Sequence, residues 1–132
     1  MEIVWCIGDI DRQFIIEAFG CRTEAELKQL LDTTYDRVAT DLKAQNSRKP
    51  VFKFVPLIRR IETYEPDTGQ LQVYEDNGNC LPKKGEILIA ANPRMKVAVI
   101  HEIVHWLRRD LTEKEARRAT DELVKLWRLT LY

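Results

Sequence analysis

The apolar and polar positions at the start of the chain predict a short strand followed by a helix. Residues 2–7 are mostly β-branched or aromatic, which favours an extended conformation. The pair Gly8-Asp9 is a turn signal that also suits the start of a helix over residues 10–19. Gly20 is expected to end this helix, because glycine is the commonest residue just after a helix C-terminus.

A second, longer helix is predicted for residues 24–45. Thr23 and Glu26 have the S/T-x-x-E spacing of a capping box, in which each side chain accepts a backbone N–H of the other residue. Apolar side chains then recur at helical spacing from Leu27 to Leu42. The polar residues that follow end in a proline and break the pattern.

The middle of the chain has the pattern of extended segments joined by turns. Residues 51–55 begin with apolar and polar side chains in alternation, and a second extended run covers residues 57–64. The sequence Pro-Asp-Thr-Gly at 66–69 is a turn signature. It predicts a hairpin between residues 58–64 and 70–75.

The chain then changes from strands to helices. We expect residues 76–79 to end the hairpin and residues 81–85 to form a loop. Residues 86–91 are apolar enough for a short strand. Pro93 precedes a predicted helix over residues 94–109, where proline is tolerated in the first turn.

A final helix is predicted for residues 113–129, because Thr112 and Glu115 form a second capping box. Its expected inner stripe consists of apolar residues at helical spacing: Ala116, Ala119, Leu123, Leu126 and Trp127. Residues 1–132 are therefore predicted to form a single α+β domain. It combines a small antiparallel or mixed sheet of three to four strands with a long N-terminal helix and two C-terminal helices.

Both histidines of the chain lie in one H-E-x-x-H motif, His101-Glu102-Ile103-Val104-His105. Residues four apart share a face of a helix, so the two imidazoles can converge on one metal ion. Glu102 is one position round from them, where its carboxylate can deprotonate a water at the open coordination position of a zinc ion. The apolar residues around the motif indicate a buried helix rather than a chance match on a solvated one.

Composition limits the classes of partner and compartment. The chain has 21 basic and 21 acidic residues, so its charge indicates neither nucleic acid nor an anionic membrane as a partner. Its three cysteines include no C-x-x-C pair, which argues against disulfides and against a cysteine-based zinc site. Neither a signal peptide nor an apolar run of about 18 residues is present. We therefore expect a soluble, cytoplasmic protein.

The segment from Glu86 to Val124 resembles the gluzincin zinc peptidases, in particular the ImmA/IrrE-type peptidases and the single-domain minigluzincins. In these families a short strand precedes the H-E-x-x-H helix, and the next helix carries E-x-E-A-[ND]-x-F-A or E-x-x-A-D. Here the corresponding helix begins Glu113-Lys-Glu-Ala-Arg-Arg-Ala-Thr120. The resemblance implies a zincin-like fold, a Zn²⁺ ion, peptide-bond hydrolysis and a glutamate as the third metal ligand.

The sequence departs from the family pattern in two places. Arg117 stands at the asparagine or aspartate position, and Val104 stands where many members place a glycine. A metzincin is not indicated, because that pattern needs a glycine at Arg108 and a ligand at Leu111.

The third metal ligand has more than one candidate. The family pattern favours Glu113, whereas antiparallel packing of the two helices favours Glu115. Asp110 and Asp121 are weaker alternatives. Only seven residues separate His105 from Glu113, which is fewer than in most gluzincins.

These features predict a small zinc-dependent metallopeptidase with Glu102 as its general base. The expected partner is a protein or peptide substrate, and the ImmA/IrrE resemblance suggests a regulatory protein. An extended substrate is expected to pair with residues 86–91 as an edge strand, as extended peptides do on exposed sheet edges. The candidate donors to the oxyanion are Arg117, Tyr74 and Tyr132.

Two other functions stay open at this point. One is a zincin-shaped binding or regulatory module that lacks activity, with or without a metal. The other is an unrelated α+β domain in which the histidines are core residues. In that case their ring nitrogens would bond to backbone carbonyls instead of converging.

Overall fold

A computed structural model of the chain describes residues 1–44, 48–63 and 71–130. In chain order the elements are β1 (Ile3–Trp5), α1 (Asp9–Ala18), α2 (Glu24–Asp41), β2 (Val51–Val55), β3 (Ile58–Thr63), β4 (Leu71–Asp76), β5 (Gly78–Leu81), β6 (Glu86–Ala90), α3 (Met95–Leu107) and α4 (Glu113–Thr130). Within these residues four helices accompany a mixed four-stranded sheet and a two-stranded antiparallel sheet. The predicted α+β class is confirmed.

Each of the two N-terminal helices is followed, two positions after its last residue, by a residue with a positive φ angle. Gly20, with φ of +77°, follows α1 as predicted. Helix α2 ends at Asp41, earlier than the predicted residue 45, because Lys43 adopts a φ of +52°. The N–H of Ala44 then donates to the carbonyl of Ala39 at 3.0 Å, which closes the helix end.

The four-stranded sheet has the order β1-β2-β6-β5. Strands β1, β2 and β6 run parallel, and β5 pairs antiparallel with β6. Phe52 and Phe54 of β2 lie beside Ile87 and Ile89 of β6, and all four side chains are fully buried. Alternate residues of both strands therefore form one apolar face that packs into the core.

The prediction for the region just before β6 was wrong in two respects. Residues 78–81, assigned to a turn and a loop, form β5. Strand β6 is also not an edge strand, because β2 pairs with one side of it and β5 with the other. The sheet edge on this side is β5, so a substrate strand cannot pair with residues 86–91.

The predicted hairpin is confirmed by the antiparallel pairing of β3 with β4, from Ile58 opposite Asp76 to Thr63 opposite Leu71. Its expected turn at residues 66–69 lies outside the described residues.

The two C-terminal helices pack against each other, and α3 also packs on α2, β5 and β6. In α4, Ala116 and Leu123 are buried as predicted, but Leu126 is 49% exposed. The buried face is centred on the line from Ala116 to Leu123, and Leu126 lies about 70° round the helix from it. The predicted inner stripe was therefore too wide by one residue.

Two further expectations can be compared with the structure. The cysteines at positions 6, 21 and 80 are free, as predicted from their spacing. Of the helices in the described ranges, none has the length and hydrophobicity that a bilayer crossing requires.

Candidate metal centre

Helix α3 presents both histidines on the face that it turns towards α4. Their ring centroids are 4.8 Å apart, and the ring planes meet at 78°. The side chains of His101 and His105 are 17% and 19% exposed, so the rings are mostly buried but still reach the surface. The i, i+4 spacing therefore brings the two imidazoles together, as the motif predicted.

Glu113, the first residue of α4, bonds to both rings through its two carboxylate oxygens. Its Oε1 lies 2.8 Å from Nε2 of His101, and its Oε2 lies 2.9 Å from Nε2 of His105. Neither Nε2 atom has a hydrogen bond to a backbone carbonyl among the described residues. This convergence does not support the hypothesis that the histidines are ordinary core residues.

The alternative acidic residues have other contacts. Glu115 and Thr112 form the predicted capping box, in which the two N–H···O distances are 3.1 and 3.2 Å. Asp110 accepts two hydrogen bonds from the guanidinium of Arg108. Asp121 lines the same cleft as the histidines, but within the described residues it bonds to neither ring. The structure thus brings Glu113, and not these three acids, to both rings.

Glu102 lies next to His101 on α3, and only 6% of it is exposed. Its Oε1 is 3.9 Å from Nε2 of His101, and the ligand atoms of residues 101, 102 and 105 all lie within 4.8 Å of one another. Burial, with smaller contributions from the nearby carboxylates of Glu113 and Asp76, raises the pKa of Glu102 to about 8. The site therefore contains a carboxylate with a high proton affinity beside the converging rings.

Thr120 is a contact of the site that the sequence did not predict. Its hydroxyl is 3.3 Å from Nδ1 of His101, and it also donates to the carbonyl of Ala116 at 2.8 Å. Thr120 is 2% exposed and lies on the buried face of α4, between Ala116 and Leu123. A polar residue in the middle of an apolar stripe was the available signal.

The bonds of Thr120 fix the orientation of the His101 ring. The single hydroxyl hydrogen is used on Ala116, so the hydroxyl accepts a hydrogen bond from Nδ1–H of His101. In the neutral ring this leaves a lone pair on Nε2, directed at the carboxylate of Glu113. Two lone pairs at this distance repel each other unless a proton or a cation lies between them.

Burial disfavours a proton on Nε2 of His101. It lowers the pKa of this imidazole, and the nearby charges of His105 and Arg117 lower it further, although Glu113 acts in the opposite direction. The pKa of Glu113 is also low, because the two histidines outweigh the effect of its burial. A neutral ring facing an ionised carboxylate is the arrangement that a shared metal cation stabilises.

The donor set fits a zinc ion. Two imidazole nitrogens and one carboxylate are a common set of protein ligands in catalytic zinc sites, with bond lengths of about 2.0–2.2 Å. Ligand atoms at the corners of such a tetrahedron are roughly 3.3 Å apart. The N···O distances of 2.8 and 2.9 Å are about 0.4–0.5 Å shorter than this, so the side chains would separate slightly around the ion.

An open cleft of about 1100 Å³ leads to these side chains. One wall is formed by residues 76–80, and the other consists of side chains from α3 and α4. The described lining residues include none from α2, which packs against α3 elsewhere.

The candidate oxyanion donors differ in their position relative to the cleft. Arg117 lines the cleft, and its Nη2 is 4.0 Å from Oε1 of Glu113. Tyr74 lies against the guanidinium of Arg60, whose Cζ is 4.9 Å from the ring centroid. Tyr132 lies outside the described residues.

No protein-family model, curated protein or solved structure matches this chain.

Proposed function

We propose that the protein is a zinc-dependent peptidase of the zincin type. The observation that carries the proposal is the Glu113 carboxylate, which bonds Nε2 of both H-E-x-x-H histidines at 2.8 and 2.9 Å. A chance motif gives no reason for a third metal-binding side chain, twelve residues after the first, to face both rings.

His101, His105 and Glu113 would hold the metal through two ring nitrogens and one carboxylate. Zinc bound there would supply a water of lowered pKa and polarise a substrate carbonyl. Thr120 positions the His101 ring by accepting Nδ1–H, so that Nε2 stays available as a ligand atom.

Glu102 would act as the general base. Its burial gives its carboxylate a greater proton affinity than an exposed glutamate has, which favours removal of a proton from the attacking water. The same carboxyl group can then pass that proton to the leaving amine, and this completes the transfer. Gly78 of β5 packs directly against Glu102, so the strand limits where this side chain can move.

The substrate would be a protein or peptide segment in an extended conformation. Among the residues that the structure describes, strand β5 pairs with β6 on one side only, and residues 78–80 also line the cleft. An unpaired strand edge offers backbone N–H and C=O groups to an extended chain. A peptide paired with β5 would therefore lie between this edge and the side chains of the proposed metal centre.

Peptide hydrolysis by the zinc-loaded protein tests this function. The parent protein is incubated with a pool of quenched fluorescent peptides and compared with the variants Glu102→Gln and Glu122→Gln. Glu122 is exposed on α4 and serves as the control. We expect hydrolysis by the parent and the control, and a loss of at least about a hundredfold in Glu102→Gln.

The outcomes separate the proposed function from its alternative. Chelation should abolish hydrolysis, and added zinc should restore it. Activity that survives Glu102→Gln contradicts the role of this residue. If zinc is retained and no peptide is cleaved, the protein is the catalytically inactive metal-binding module.

A further inference from the structure

The two consecutive arginines after α3 have different environments. Arg108 donates to both carboxylate oxygens of Asp110, at 3.0 and 2.9 Å. Arg109 lines the cleft of the proposed metal centre, and no carboxylate pairs with it in the described ranges. Within the described residues the cleft therefore contains two arginines without a carboxylate partner, Arg94 at the N-terminus of α3 and Arg109 after its C-terminus.

The guanidinium of Arg109 lies on a rigid surface. Its Cζ is 5.5 Å from the centroid of the Trp106 ring. That ring is only 1% exposed, and its Nε1–H donates to the backbone carbonyl of Arg48 at 3.0 Å. Stacking on a fixed indole reduces the conformational freedom that an exposed arginine would lose when it binds an anion.

Arg109 also lies near the free edge of the sheet. Arg109 and Cys80 of β5 both line the cleft, and the guanidinium charge acts on the Cys80 thiol, although burial and Glu102 outweigh it and raise the pKa of this thiol to about 12. Arg109 lies two residues after the last residue of α3, and both it and His105 line the cleft.

We propose that Arg109 is a specificity-determining residue that binds an acidic side chain of the substrate near the bond that is cleaved. The substrate class is thus an extended peptide with aspartate or glutamate near the cleavage site. This inference rests on the proposed peptidase function, because it assumes that the substrate lies along β5.

At the other end of β5, the nearby Arg60 already has an acidic partner. Arg60 pairs with Asp76, with Nε 3.4 Å from Oδ2, where the strand begins beside Glu102. An acidic substrate side chain would face Asp76 there, but Arg109 at the end near Cys80. The proposal therefore places the acidic side chain at the Cys80 end of β5, where Arg109 lies.

Peptide binding to the zinc-loaded Glu102→Gln variant tests the inference, because this variant binds without turnover. The probes are fluorescein-labelled decapeptides in which a single glutamate is the only charged residue. Each is matched by a peptide with glutamine at the same position. We expect glutamate to tighten binding about threefold, the size of an exposed ion pair, and high salt to remove the difference. A second substitution, Arg109→Gln, should abolish the preference, whereas Arg108→Gln should retain it.

Equal affinities for the two peptides, a preference that survives Arg109→Gln, or no binding by any peptide would overturn the inference. These results are distinct from failure of the proposed function. An Arg109-dependent preference in a parent protein that cleaves nothing would overturn the peptidase and leave the binding site in place.

Discussion

Gly78 of β5 and Glu102 of α3 are in such close contact that no side chain fits between them. A Cβ atom at Gly78 would lie 2.7 Å from Cγ of Glu102 and 3.2 Å from the carbonyl oxygen of Leu88. Glycine at this position therefore lets the edge strand approach the proposed general base.

Gly78→Ala should destabilise the protein by about 1–3 kcal/mol, the usual cost of forcing extra volume into a packed site. Urea denaturation measures this loss. Gly8→Ala is the matched control, because a Cβ there meets nothing within 4 Å. Equal stability of the two variants would contradict the close contact.

Thr120→Val should weaken zinc binding about tenfold while the protein stays folded. The substitution removes the hydroxyl that accepts Nδ1–H of His101 and keeps the shape of the side chain. Titration against a fluorescent zinc chelator gives the affinity. Thr120→Ser keeps the hydroxyl and should bind like the parent, so equal losses in the two variants would exclude this positioning role.

Leu123→Ala should cost about 2–4 kcal/mol of unfolding free energy, since the side chain is 5% exposed. Leu126→Ala is the control on the same helix, where exposure of 49% limits the cost to about 0.5 kcal/mol. Thermal or urea unfolding compares the two variants. The reverse order of costs would mean that α4 packs through a different face.

The pH dependence of stability should include a contribution from Asp32. Burial alone would raise the pKa of this carboxyl, but the N-terminal amine and Lys49 outweigh burial and lower it. An acid whose pKa is depressed by folding stabilises the protein above its unfolded pKa, and this contribution is lost as the pH falls through the folded pKa.

Asp32→Asn should therefore be less stable than the parent at pH 7, and the difference should shrink below about pH 4. Urea denaturation at several pH values measures it. Glu122→Gln on the exposed side of α4 controls for the loss of a negative charge. A deficit that is constant from pH 7 to pH 3 would contradict this contribution.

Most of the fold could be predicted because local patterns define it. The capping residues Thr23 and Thr112 mark the first residues of α2 and α4 correctly, since a capping box is a contact between near neighbours. Alternation and turn residues likewise predicted the β3–β4 hairpin.

Strand β5 could not be found in this way. Glycine and asparagine at positions 78 and 79 have low strand propensity and usually indicate a turn. The residues are extended because they pair with β6, and Gly78 is needed for contact with Glu102, which lies far away in the sequence. The same non-local pairing gives β6 its interior position, which its own residues do not reveal.

The residues of the proposed metal centre also fall into two groups: those that a local motif predicts and those that depend on the packing of α3 and α4. The two histidines and Glu102 follow from a five-residue motif on one helix. The choice between Glu113 and Glu115 depends on how the chain turns between α3 and α4. The contact of Thr120 with His101 could not be predicted from the sequence, because it depends on how α3 and α4 lie relative to each other.

Zinc binding by the parent, Glu113→Gln and Glu115→Gln tests the central claim most directly. Isothermal titration and native mass spectrometry give the affinity and the number of ions for each protein. The account predicts about one zinc ion per chain for the parent and for Glu115→Gln, and an affinity at least about tenfold weaker for Glu113→Gln. A parent protein that binds no zinc, or a loss in Glu115→Gln as large as that in Glu113→Gln, would contradict it.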